Sequence, residues 1–174
     1  MNMLEDEEFR KPIRKTTHLS PVDSYLTGSW EALGQGAPVL VALAQISSQA
    51  MISGGPETLP PLTPEARTIL FAARERGIVE IKGVHSAFEA PSRLLAVYIE
   101  MTEEYTIAFR DRMNPEITVR FLDGFRQLCE CGLVIHHLHR DFSLTPAGFE
   151  LARTIKQEEV QPWLDKATDM GIHD

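Results

Sequence analysis

Apolar positions from residue 63 onward follow two rhythms, one of three to four residues and one of two. The first marks helices and the second strands, because side chains share a face every 3.6 residues in a helix and every second residue in a strand. Residues 64–76 read as a helix with Ile69, Leu70 and Ala73 on its apolar face and Gly77 as a left-handed stop. Residues 78–82 (Ile-Val-Glu-Ile-Lys) then alternate as a strand, and 83–91 form a loop. The stretch 94–113 fits both rhythms. Leu94, Leu95, Tyr98, Met101, Tyr105 and Ala108 make a helical stripe, while Val97, Ile99, Met101 and then Tyr105, Ile107, Phe109 alternate. Its β-branched and aromatic content favours two strands joined through Thr102-Glu103-Glu104.

A second helix is expected over 115–130, with Leu122, Phe125, Leu128 and Cys129 on its buried face and Gly132 ending it. Strands at 133–139 and 142–144 follow, around Arg140-Asp141. That pair is not the Asn-Gly type of two-residue turns, so a longer loop is expected. A last helix runs over 146–159, Pro162 ends it, and Trp163-Leu164 folds back on the core. Four helix starts share one chemistry: Ser20-Pro21, Thr63-Pro64, Asn114-Pro115 and Thr145-Pro146 each set a capping side chain before a proline.

Residues 1–62 read as an N-terminal tail and helical arm with a Pro/Gly linker. The tail contains a short capped helix near 21–26. Gly34 and Gly36 precede a helix over 38–52, with Val39, Leu43, Ile46 and Ala50 on one face. The stripe either packs on its own domain or serves as a dimer arm, since an isolated apolar helix must bury it somewhere. Residues 63–160 form the expected domain and 161–174 an acidic C-terminal tail.

Charge changes this picture only locally. The chain carries −8, but residues 16–63 hold net −3 and 157–174 net −4, while 103–156 hold seven bases against eight acids. A near-neutral domain permits DNA contact without advertising it. Two cysteines, Cys129 and Cys131, are too few and too close for a disulfide framework and suit a reducing compartment. With an acidic start and no apolar run of about 20 residues, a cytoplasmic protein without membrane contact is expected.

The segment Phe125-Arg126-Gln127-Leu128 … Gly132-Leu133-Val134 … Arg140-Asp141-Phe142-Ser143-Leu144-Thr145-Pro146-Ala147-Gly148 resembles the second half of winged-helix regulators of the multiple-antibiotic-resistance-regulator type. The resemblance covers about 40 residues, and the Leu62-Thr63-Pro64 helix resembles that family's first domain helix. It implies an α+β, winged-helix-like domain in which helix 115–131 enters a DNA groove. Wing 133–145 would touch the backbone, and the following helix would contribute to a homodimer. Between that first helix and helix 115–131 the family has a short two-helix link, whereas this chain has a long, strand-rich stretch.

On the outer face of helix 115–131, Thr118, Arg120, Arg126 and Gln127 are the candidate nucleic-acid contacts, with Arg140 at the wing tip. Such side chains match base edges and phosphates. Asp123, Glu116 and Asp141 sit among them and oppose an anionic ligand. Cys129, Cys131, His137 and His139, with His136, form a weak candidate zinc set, and no metal is favoured. No catalytic motif appears. His139-Arg140-Asp141 lacks the asparagine of a kinase loop, Gly34-Gln35-Gly36 lacks a third glycine, and Ser86 beside His85 is an isolated pair. The expectation is a non-enzymatic, cofactor-free binding module serving protein interaction or oligomerisation, with a DNA-binding regulator as the alternative. Strand at 103–113 would remove the first helix of a helix-turn-helix and lower the DNA reading.

Overall fold

The computed structural model describes residues 38–84 and 87–170. The helix expected near 21–26, Ser20-Pro21, Gly34-Gln35-Gly36 and the His85-Ser86 pair lie outside the described residues.

The chain folds as an α+β layer: one antiparallel sheet with helices on one face. In order it forms α1 (Pro38–Ser53), α2 (Pro64–Ala73), β1 (Ile78–Lys82), α3 (Ala90–Arg93), β2 (Ala96–Thr102) and β3 (Tyr105–Phe109). Then come α4 (Pro115–Glu130), β4 (Val134–His136), β5 (Asp141–Leu144), α5 (Pro146–Thr154), α6 (Gln157–Leu164) and β6 (Thr168–Met170). The strand order is β4-β5-β1-β2-β3-β6.

The period-two reading of 94–113 holds: β2 and β3 are a hairpin, with Val97 opposite Phe109 and Ile99 opposite Ile107. These four side chains, with Val79, Ile81, Phe142 and Leu144, form the buried inner face of the sheet. Phe121 stacks on Phe109 with ring centroids 3.9 Å apart, and Phe125 meets Phe142 edge-on at 4.9 Å. α4 thereby lies across the sheet with its apolar stripe inward. Gly124 sets how closely α2 approaches it, for a Cβ there would stand 2.8 Å from the Ala66 nitrogen.

The helix stops occur as expected, with Gly77 and Gly132 at φ 71° and 68°. Thr63 and Thr145 cap α2 and α5 by accepting from Ala66 N and Gly148 N, 3.2 and 3.1 Å away. Asn114 makes no side-chain cap bond. Asp111 works one step earlier, its carboxylate accepting from Met113 N and Asn114 N at 2.8 Å each. The β4–β5 turn spans four residues, 137–140, with His139 at φ 51°.

Two expectations are corrected. The helix expected over 146–159 breaks at Ile155 and Lys156, which are extended, and resumes as α6 with Pro162 inside it. The bend lets Ile155 and Val160 both enter the core. Of the residues expected as a tail, 161–170 are therefore part of the fold. Trp163 and Leu164 pack on the core as expected, and β6 pairs with β3.

α1 packs on α4 and β4. Its buried face is Leu40, Val41, Leu43, Ala44, Ser47 and Ala50, rotated from the expected stripe, since Val39 is exposed. The fully buried Ser47 hydroxyl donates to Val134 O and accepts from His136 N, both at 3.0 Å. A helix side chain thus satisfies the outer edge of β4, where a neighbouring strand would otherwise pair. No described helix is long and apolar enough to cross a membrane.

Candidate interaction surface

α4 presents a mixed-charge outer face whose cations are already engaged. Arg120 pairs with Glu116 at 2.7 Å and reaches toward Glu65 at 3.9 Å. Arg126 pairs with Asp123 at 2.8 Å and with Glu130. Hydrogen bonding to these carboxylates holds both guanidinium groups above their ordinary pKa, with Glu116 the leading cause for Arg120 and Asp123 for Arg126. Arg140 bonds Glu80 at 2.5 Å across the β1–β5 pair.

The other candidates have structural duties. Thr118 is fully buried rather than outward. One turn places it on the sheet side of α4, where its hydroxyl accepts from Asp111 N at 3.0 Å. Gln127 staples the chain before α2, accepting from Thr63 N at 2.8 Å and donating to Pro61 O at 3.0 Å.

The cysteines and histidines are not brought together, and no group of three or more potential metal ligands occurs among the described residues. Cys129 and Cys131 are buried near the end of α4, and burial followed by the Glu130 charge pushes both thiols up. His136 donates to His139 O at 2.9 Å, and His137 bonds Ser143 Oγ at 2.7 Å.

A different surface emerges at the end of the sheet where β1 finishes, β2 begins, β3 finishes and α4 starts. Arg110, itself buried, organises it. Its guanidinium donates to Tyr98 Oη, Pro91 O, Ser92 O, Lys82 O and Leu94 O, at 2.5 to 3.2 Å. Arg112 and Glu89 join the two flanking loops through bonds of 2.5 and 3.0 Å. Beside this tie the chain exposes Phe88 completely and Met113 at 93%. The hairpin turn adjoins the same sheet end, Ile81 N donating to Arg140 O, and it exposes Leu138.

The sequence pattern did not single out Phe88, Met113 or Leu138. The available signal was slight: Phe88 is a large apolar residue in the expected loop 83–91, whereas Leu138 falls within the expected strand 133–139 and Met113 at the end of the stretch 94–113. No protein-family model, curated protein or solved structure matches the chain.

Proposed function

We propose that this chain is a winged-helix-like protein-interaction module that docks a protein partner through the loop end carrying Phe88 and Met113. One observation carries the reading. Two large apolar side chains stand in solvent on loops pinned by the Arg110 clasp and the Glu89–Arg112 pair. Apolar anchors held on rigid supports suit protein recognition, because their burial contributes binding energy without a large ordering cost. The same end would face DNA in a winged helix, but a phosphate-reading surface calls for available cations. Here Arg120, Arg126 and Arg140 have carboxylate partners.

DNA binding is the second reading, supported by the succession of α4, hairpin β4–β5 and α5, with β5 paired to β1. A photo-crosslinking residue at Phe88 in living cells, compared with one at Val119 on the exposed face of α4, separates the two. The expected result is a discrete protein adduct from position 88 that is absent from 119. Duplex DNA titrated by anisotropy gives the converse arm. Salt-sensitive binding that weakens in Arg126→Ala, with no adduct at 88, would replace the proposal by the DNA reading.

A further inference from the structure

α1 carries no charged residue over its 16 positions, in a chain of net charge −8. One face is committed to α4 and β4. The other exposes Ala42, Gln45, Gln49 and Ile52, spaced three, four and three apart. That spacing is the seam of a two-stranded coiled coil, narrower than the stripe a helix buries against its own domain. Ile52 is 82% exposed at one end of the seam. Beside it lies an open groove of about 840 Å³, walled by Gln45, Gln49 and Ile52 of the seam together with Pro56, His136 and Glu130, whose carboxylate is paired with Arg126.

The seam is self-complementary when reversed. An antiparallel copy centred over position 47 sets Ile52 against Ala42 and Gln45 against Gln49, then repeats both pairs by symmetry. Large meets small at both ends, and amide meets amide in the middle. A two-fold interface requires such reciprocity, with residue i on j and j on i. Electrostatics point to the same occupant. Two acidic copies repel elsewhere but can approach along an uncharged helix, where the neighbouring acid Glu130 is already paired with Arg126. We propose that α1 is a homodimer interface, pairing antiparallel with α1 of a second copy. This surface shares no residue with the Phe88–Met113 end, so the inference stands apart from the proposed function and would make the module bivalent.

Sedimentation velocity of the full chain over a wide concentration range is the test. A reversible dimer is expected. Ile52→Glu should shift it to monomer with an unchanged melting temperature, because position 52 is exposed in the single chain. Mild oxidation supplies the register: a mixture of Gln45→Cys and Gln49→Cys proteins should form the mixed disulfide in preference to either self-disulfide. The native cysteines are buried and should not compete. A wild-type monomer at every concentration, or a dimer indifferent to Ile52→Glu, would overturn the proposal. So would a monomer that dimerises only after removal of residues 1–36, which would make the chain's own N-terminal segment the occupant.

Discussion

Arg110 uses all five of its N–H donors on one hydroxyl and four main-chain carbonyls. Its value is geometric: a planar fork reaches the end of β1, the α3 turn and β2 at once, which a single ammonium cannot do. Arg110→Met should therefore leave several acceptors short of a donor and cost on the order of 3 kcal/mol or more, measured by urea unfolding. Arg110→Lys should recover only part of that loss.

Cys129 poses the opposite problem, a neutral group that the fold keeps neutral. Burial raises its thiol pKa, so the folded state disfavours the thiolate that the unfolded chain forms above about 8.5. The thiol's contribution is fully present below that ordinary pKa and is lost as pH rises beyond it. Stability should then fall by up to about 1.4 kcal/mol per pH unit for this group. Denaturant midpoints between neutral and alkaline pH should show this decline, and Cys129→Ala should flatten it. The burial of Cys129 was legible from its place on the apolar stripe of helix 115–130, whereas the Cys-x-Cys spacing reports only proximity along the chain.

At the scale of elements, the sequence was most readable where backbone chemistry is local. Thr-Pro starts and glycine stops located α2, α4 and α5 because a cap, a fixed φ and a left-handed residue act within a few positions. The β2–β3 hairpin was readable from its β-branched and aromatic residues, although Tyr98 and Met101 also fit a helical stripe. The sheet face decided it, since Val97 and Ile99 point inward while Tyr98 packs on the far side with Ala96 and Ala108. What stayed hidden depends on distant partners. Nothing near Ile155 announces that the helix must bend to bury it, and nothing near Ser47 announces an edge strand 87 residues away. Ser47→Ala tests that long-range element. It should leave Val134 O and His136 N without their partner and cost about 1–3 kcal/mol. Hydrogen exchange should then quicken at His136 before it quickens in β1 and β2, the centre of the sheet.

For the whole molecule, the described chain closes its sheet at both flanks with its own ends. α1, the first described element, covers β4 through Ser47, and β6, the last, lies against β3. A reading by composition sets the domain bounds inside both, at 63 and 160, and leaves open whether the first helix packs on the domain or serves as a dimer arm, because charge density and linker residues mark exposure better than attachment. The packing attaches both: Leu40 and Leu43 belong to the same buried cluster as Phe125 and Phe142, and Trp163 and Leu164 pack against it. Cooperative unfolding should therefore include both ends, with one transition seen alike by tryptophan fluorescence and far-ultraviolet circular dichroism. Deleting residues 161–174 gives the sharper prediction. It removes β6, uncovers the outer edge of β3 and strips Trp163 and Leu164 from the core. An unpaired edge beside exposed apolar surface favours association between chains. The truncated protein should thus melt lower than the full chain and aggregate on heating, as followed by light scattering. If it matched the full chain in melting temperature and solubility, β6 would be an ornament on a sheet already complete at β3.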